Sequence, residues 1–77
     1  MNNDFDQQLD TTDLQCPLPL ITTKKTLESM QSGKVLKIIS VDSSLLLDLQ
    51  VLAKQAGHSL LHYNKHDEIY VFFLQKQ

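Results

Sequence analysis

The residues best suited to chemistry lie in the sequence Cys16-Pro17-Leu18-Pro19, which holds the single cysteine of the chain. Proline is tolerated in the first turn of a helix, because the N–H group that it lacks would have no intrahelical partner there. The two prolines therefore predict that a helix begins at this motif, with Cys16 at or just before its N-cap. The free N–H groups and partial positive charge of a helix N-terminus favour a thiolate over a thiol. The motif thus predicts a nucleophilic sulfur, with the pKa of Cys16 below the ordinary value of about 8.5.

Another interpretation of Cys16 is purely structural, because a lone cysteine in a small domain most often behaves as a buried hydrophobic residue. The prolines and the polar residues Asp13 and Gln15 favour a solvent-facing turn instead. A carboxylate close to the sulfur opposes thiolate formation. Asp13 is therefore expected to moderate the effect of the helix terminus if it lies near Cys16.

Six segments with the periodicities of strands and helices must position this motif. The expected elements are strands at residues 7–11, 35–41, 59–63 and 68–74 and helices at residues 17–31 and 45–56. The order β-α-β-α-β-β predicts an α/β fold of the α+β two-layer sandwich type. Its simplest form is a four-stranded mixed sheet with two helices on one face.

Local signals predict where these elements end and which side chains they bury. Gly33 and Gly57 suit the left-handed position past a helix, residues 42–44 offer capping side chains, and residues 64–67 predict a polar turn. The expected core stripes are Leu20, Thr23 or Lys24, Leu27 and Met30 in the first helix and Leu45, Leu49, Leu52, Ala53 and Ala56 in the second.

The last strand is apolar on both faces, from Ile69 to Leu74. One face of a two-layer sheet is usually solvated. Either this strand is central and its outer face is thinly covered, or Tyr70, Phe72 and Leu74 meet a partner.

Composition limits the classes of function. The chain has seven lysines, no arginine and nine acidic residues, with a net charge of −2, so we expect no direct binding to nucleic acid. One cysteine allows no internal disulfide, and no apolar run could cross a membrane, so we expect a cytoplasmic protein without membrane association. We expect residues 1–77 to form a single domain in which residues 1–5 are disordered.

Three histidines, His58, His62 and His66, recur at every fourth residue, which would align them on a helix. Gly57 and the residues after it indicate a strand and a turn instead, in which His58 and His62 could share a face and His66 lies in the turn. Three imidazoles without a carboxylate or thiolate at defined spacing are a weak metal signal. We expect surface histidines, with no metal and no cofactor.

The Cys16-Pro17-x-Pro19 motif, the order of elements and the chain length resemble the TusA-like sulfur carrier proteins, also called the SirA or CPxP family. Leu9-Asp10 is similar to the opening strand of the family, and residues 24–33 resemble its first helix and the turn that follows. The resemblance covers residues 9 to about 75.

The resemblance implies a cytoplasmic sulfurtransferase that accepts sulfur as a persulfide on Cys16, with Pro17 and Pro19 supporting the motif. It implies a cysteine desulfurase or another sulfurtransferase as donor and a downstream sulfur-relay protein as acceptor, in tRNA thiolation, sulfur oxidation or a selenium-related pathway. Such a transfer follows the chemistry of thiol–disulfide exchange.

Three residues are candidates for docking these partners. Asp48 falls where many members of the family carry an acidic residue, whereas Asp13 replaces a glycine and Leu18 replaces a residue that is often acidic or polar. Gln15 stands where a basic residue is common in the family, and Leu47 stands where an arginine often precedes the Asp48 position. With Leu18, these replacements lead us to expect a docking surface that carries less charge than is usual in the family.

Two other functions stay open. In the first, the chain is a non-catalytic interaction or regulatory domain with a vestigial CPxP cysteine, and its apolar last strand docks a partner. In the second, the same thiolate senses peroxide, although the chain has neither a resolving cysteine nor an arginine to polarise the peroxide.

Overall fold

The computed structural model describes residues 5–14 and 18–77 of the chain. The expectation of disorder at residues 1–4 lies outside this described part, as do the predictions for Gln15, Cys16 and Pro17. Phe5 is described, and the Lys37 ammonium lies 4.9 Å from the centre of its ring.

The observed elements follow the predicted order. They are β1 (Gln7–Asp10), α1 (Leu18–Glu28), β2 (Val35–Ser40), α2 (Leu45–Ala56), β3 (Ser59–His66) and β4 (Ile69–Gln75). The strands lie in the order β1-β2-β4-β3, with β1 parallel to β2 and the other two pairs antiparallel. This arrangement confirms the predicted four-stranded mixed sheet.

Both helices pack on one face of this sheet. Alternate residues of a strand point to the same face, and those of β2 and β4 meet one buried stripe from each helix. The resulting core consists of Leu27 of α1, Leu36 and Ile38 of β2, Leu45, Leu49 and Ala53 of α2, and Phe72 and Leu74 of β4. Because both helices contribute to one core, the prediction that they share a face is confirmed.

The last strand has a central position between β2 and β3, as one of the two alternatives predicted. Its inward side chains are Tyr70, Phe72 and Leu74, which pack in or against the core, and its outward side chains are Ile69, Val71 and Phe73. The alternative in which the inward three meet a partner is therefore wrong, because the helices already cover them.

Phe73 is buried on the face that carries no helix. Its side chain is only 2% exposed, and the imidazole of His62 stacks on it with the ring centres 4.4 Å apart. A β-bulge between Leu60 and His62 shifts the register of β3. This shift turns His62 to the outer face, where it covers the Phe73 ring.

Helix α1 ends at Glu28, three residues earlier than expected. The N–H groups of Ser29 and Met30 bond to carbonyls three residues back, and the ammonium of Lys76 donates to the Leu27 carbonyl. These bonds satisfy carbonyl groups that would otherwise be free at the end of the helix, so the helix ends before Gly33. Gly33 has a positive φ of 89° but lies in the following turn, where its N–H bonds to the Lys76 carbonyl.

The turn between β3 and β4 is shorter than predicted. Residues 64–66 belong to β3, so His66 lies in the strand and pairs with Ile69, and only two residues form the turn. Asp67, the first of these two, has a positive φ of 56°. Both common two-residue hairpin turns, types I′ and II′, need a positive φ at their first central residue. Aspartate adopts a positive φ more readily than most side chains.

The predicted side-chain cap of α2 is absent. Ser44 is the N-cap residue and makes no side-chain capping bond. The Asp42 carboxylate accepts hydrogen bonds from the N–H and hydroxyl of Ser44 instead, at 2.9 and 2.6 Å. Asp42 therefore shapes the turn before the helix. The predicted stripe is also one residue too long, because Ala56, in the final turn, is exposed.

Gly57 ends α2 in the left-handed conformation, as predicted, with φ of 81°. A Cβ added there would meet nothing within 4 Å. Gly57→Ala should therefore lower the free energy of unfolding by about 1 kcal/mol through backbone strain alone. Gly57→Asn should lower the free energy of unfolding by clearly less than Gly57→Ala, since asparagine adopts the left-handed conformation more readily than alanine. Urea unfolding measures both, and equal stability of the wild type and the alanine variant would contradict the prediction.

Candidate functional site

The connection between β1 and α1, which carries the cysteine motif, is anchored at its start to the end of β2. The N–H and the hydroxyl of the fully buried Thr11 both donate to the Ile39 carbonyl, each at 2.7 Å. The Leu14 N–H then donates to the Thr11 carbonyl at 3.0 Å. These bonds hold the chain, as far as Leu14, at the edge of the sheet where the parallel strands β1 and β2 both end.

Asp10 stabilises the same turn. Its carboxylate accepts hydrogen bonds from the Thr12 N–H at 3.0 Å and from the Thr12 hydroxyl at 2.8 Å. The N–H bond first, and the hydroxyl bond second, hold the pKa of Asp10 below its ordinary value. The carboxylate of Asp10 therefore accepts bonds from the turn at neutral pH.

The motif residues are only partly described. Cys16 and Pro17 lie outside the described residues, so their predicted roles stay predictions. Leu18, the first residue of α1, is 48% exposed. Pro19 is buried in the first turn of α1, and its carbonyl accepts the Thr23 hydroxyl at 2.8 Å. This placement agrees with the preference of proline for the start of a helix.

The candidate docking residues lie on two parts of the surface. Asp13 is exposed in the turn before the motif. Leu18 and Asp48 belong to the helix layer, where Asp48 lines a groove of about 200 Å³ between the two helices. We call this the helix groove. Its lining residues are Leu20 and Lys24 of α1 and Leu47, Asp48, Val51, Leu52 and Gln55 of α2.

The helix layer carries an apolar surface of which the sequence analysis singled out only the part at Leu18. Leu18 and Ile21 of α1 are 48% and 42% exposed, and Leu47 and Val51 of α2 are 64% and 45% exposed. The sequence did contain a signal for this surface, namely apolar residues in both helices that lie outside the predicted core stripes. Lys24 and Asp48 line the same groove, and no ion pair joins them among the described side chains. Both charges are thus available to a partner.

The histidines do not converge. His58 accepts the Gln77 N–H at 3.1 Å, His62 stacks on Phe73, and the exposed His66 lies 3.7 Å from the Asp67 carboxylate. Burial, and then the charge of Lys76, lowers the pKa of His58. Within residues 5–14 and 18–77, no three His, Cys, Asp or Glu side chains are grouped as a metal site requires.

No helix in the described ranges is long and apolar enough to span a membrane.

Solved structures and protein families identify the class to which this fold and motif belong. The crystal structure of a SirA-like protein from Desulfitobacterium hafniense superimposes with a TM-score of 0.78 at 24% identity, covering 91% of this chain and 96% of that one. This likeness confirms the two-layer α+β fold. Residues 7–76 match the family described as Sulfurtransferase TusA.

Two relatives within that family match this chain over most of their own length. The chain is 41% identical over 73 residues to the sulfur carrier protein TusA of Allochromatium vinosum, which covers 95% of this chain and 96% of that protein. It is 35% identical over 68 residues to the sulfur carrier protein TusA of Buchnera aphidicola, covering 88% and 86%. The chain belongs to the TusA sulfurtransferase family.

Proposed function

We propose that this protein is a sulfur carrier that holds a sulfur atom as a persulfide on Cys16. The observation that carries the proposal is family membership combined with a single cysteine, which stands in the CPxP motif. Helix α1 begins two residues after that cysteine. The free N–H groups of a helix N-terminus favour negative charge on a nearby sulfur. They would stabilise a persulfide anion in the same way as a thiolate.

The proposed reaction is a pair of sulfur transfers. The Cys16 thiolate attacks the outer sulfur of a donor persulfide, so the sulfur–sulfur bond of the donor breaks and the donor leaves as a thiolate. An acceptor thiolate then attacks the outer sulfur on Cys16 and regenerates the Cys16 thiolate. Each step exchanges one sulfur–sulfur bond for another, as in thiol–disulfide exchange, and needs neither a redox cofactor nor a metal.

The partners are proposed to dock on the helix layer. A cysteine desulfurase or another sulfurtransferase would be the donor, and a downstream sulfur-relay protein would be the acceptor. The exposed apolar side chains around the helix groove suit a protein surface, because burial of apolar area is the main favourable term in most protein association. Leu18 extends this surface to the start of α1, beside the motif.

Thiolated tRNA is the destination we propose for the sulfur, in the cytoplasm, with residues 1–77 acting as one carrier domain. The RNA itself is not expected to bind, because seven lysines face nine acidic residues and no arginine is present. Affinity for nucleic acid comes largely from neutralising phosphates. Sulfur must then reach the RNA through a protein acceptor.

The experiment that tests the carrier function is intact-mass measurement after incubation with a cysteine desulfurase, L-cysteine and pyridoxal phosphate. A gain of one sulfur atom, removed by a reducing thiol, is expected. The absence of any gain with every desulfurase and sulfurtransferase tested would favour the non-catalytic interaction domain. That alternative assumed that the apolar last strand docks a partner, whereas Tyr70, Phe72 and Leu74 of this strand pack in or against the core.

Leu18→Glu should change which donor delivers sulfur fastest. Leu18 is half exposed at the first residue of α1, so a carboxylate there alters the docking surface without loss of core packing. The rates of sulfur transfer from several desulfurases measure the preference, and alkylation of Cys16 reports whether the thiol chemistry is retained. Gln50→Glu is the matched control, since Gln50 is exposed on α2 outside the helix groove. An unchanged order of donors in the Leu18 variant would contradict a role for this position in partner choice.

A further inference from the structure

A second cleft lies at the edge of the sheet from which the β1–α1 connection leaves. Strands β1 and β2 are parallel and end there, and the antiparallel strand β4 begins there, with Tyr70 opposite Ser40. The cleft has a volume of about 210 Å³. We call it the edge cleft; its lining residues are Val41, Ser43, Lys65, Glu68 and Tyr70.

The edge cleft presents one positive and one negative charge to solvent. Lys65 and Glu68 are both exposed, and neither takes part in an ion pair within the described ranges. The Lys65 ammonium lies 5.7 Å from the centre of the Tyr70 ring. Since Lys65 pairs with Tyr70 across the hairpin and Glu68 lies in the adjoining turn, the two charges flank the same opening.

The remaining walls are mixed in character. Val41 is 47% exposed and supplies an apolar surface, whereas Ser43 and Tyr70 supply hydroxyl groups that can donate or accept hydrogen bonds. A cleft of this size is smaller than the roughly 300 to 1,000 Å³ of sites for drug-sized ligands. Its chemistry and size suit a molecule as small as an amino acid, which carries an ammonium and a carboxylate on the same carbon atom.

We propose that the edge cleft binds the amino-acid head group of a small thiol persulfide, of the cysteine or glutathione class, as a low-molecular-weight sulfur donor. Glu68 binds the ammonium of the ligand, Lys65 binds its carboxylate, and the side chain extends over Val41. This inference rests on the proposed function, because it adds a small-molecule donor to the carrier reaction of Cys16. Cysteine and glutathione share the zwitterionic head, and the experiment separates them.

The transfer from such a donor is balanced without a further reactant. The Cys16 thiolate attacks the terminal sulfur of R–S–SH, which forms the new sulfur–sulfur bond on Cys16 and breaks the one in the donor. The electron pair leaves with R–S⁻, and the proton stays on the transferred sulfur. The sulfane sulfur moves from one thiol to the other, so there is no net oxidation.

Binding is tested on the full chain carrying Cys16→Ser, in which no transfer can occur. The amide signals of Ser43 and Tyr70 are followed by nuclear magnetic resonance during titration with L-cysteine or with glutathione. Cysteamine, which lacks the carboxylate, and 3-mercaptopropionate, which lacks the ammonium, should bind more weakly than L-cysteine. Lys65→Gln and Glu68→Gln should each weaken L-cysteine binding about fivefold, as expected for a solvent-exposed ion pair.

Matched controls lie elsewhere on the surface. Lys54→Gln and Glu28→Gln remove the same charges from exposed helix positions outside the edge cleft and should leave binding unchanged. Equal binding of cysteine, cysteamine and 3-mercaptopropionate would overturn the proposal, as would equal affinities of the cleft variants and their controls. A larger response to glutathione than to cysteine would assign the cleft to the tripeptide.

Loading kinetics separate this inference from the carrier function. With Cys16 intact, Lys65→Gln and Glu68→Gln should slow loading by cysteine persulfide about fivefold, the same factor as in binding, and leave loading by a desulfurase unchanged. If the desulfurase loads Cys16 and the cleft variants show no defect with the small donor, the edge-cleft proposal fails alone. If no donor loads Cys16, the carrier function fails, and the binding titration still decides whether the cleft takes amino acids.

Discussion

Cys16→Ser is expected to abolish sulfur loading while leaving the folded domain in place. The chain has no other thiol, so the variant removes the sole atom able to form a persulfide. Serine is close to cysteine in size, and the solvent-facing turn that the sequence predicts for Cys16 would lose little packing when one replaces the other. Intact-mass measurement with a desulfurase and L-cysteine checks the loading, and urea unfolding checks the stability. Sulfur still gained by the variant would contradict the assignment of Cys16.

The stability of the same variant separates the two interpretations of Cys16. A loss of less than about 1 kcal/mol is expected for an exposed nucleophile. A loss of more than about 2 kcal/mol would place the side chain in the core and support the structural interpretation. The rate of Cys16 alkylation against pH is a third measurement, and an apparent pKa at or above about 8.5 would contradict activation by the helix terminus.

Phe73→Ala is expected to destabilise the domain by about 3 kcal/mol or more, although Phe73 lies on the face without helices. Its side chain is 2% exposed, between Lys37 in register on β2 and the stacked His62 ring of β3. Removing a buried aromatic ring leaves a cavity that its neighbours fill only in part. Such a loss is a large share of the roughly 5 to 15 kcal/mol that stabilises a domain, so a fall in thermal midpoint should accompany it.

Two further variants identify the source of this effect. Ile69→Ala removes an apolar side chain from the same face of β4, but Ile69 is 45% exposed and should cost less than about 1 kcal/mol. His62→Ala should cost about 1 kcal/mol if the stacked imidazole covers Phe73. Equal losses for Phe73→Ala and Ile69→Ala would show that the outer face is solvated throughout.

Local chemistry in the sequence was sufficient to predict the elements and their order. Gly57 ends α2 because a left-handed position favours glycine, and this requirement does not depend on the rest of the fold. Pro19 lies in the first turn of α1 for a similarly local reason, the fixed φ of proline. Apolar residues recur every three to four positions in the helices and every second position in the strands. With these patterns, only a few arrangements bury the apolar faces of both helices against one sheet.

Element ends were harder to predict, because distant residues complete them. The Lys76 ammonium bonds to the Leu27 carbonyl from 49 positions away and helps to end α1 at Glu28. Strand β3 continues to His66 because a two-residue turn at Asp67 allows pairing with Ile69. Neither the partner nor the register is visible in a local window of sequence.

The sequence by itself determined the single thiol, the motif in which it stands, the lack of arginine and the order of the six elements, since each follows from residue type and local spacing. Only the tertiary structure decided which face of β4 enters the core, how His62 covers Phe73, and which exposed side chains assemble into the helix groove and the edge cleft. The physical reason is that successive side chains of a strand point to opposite faces. When the strand is apolar throughout, both faces carry the same kind of side chain, and the sequence does not distinguish the buried face from the outer one. Pairing with β2, packing of the helices and the bulge in β3 remove that symmetry through contacts between residues far apart in the chain.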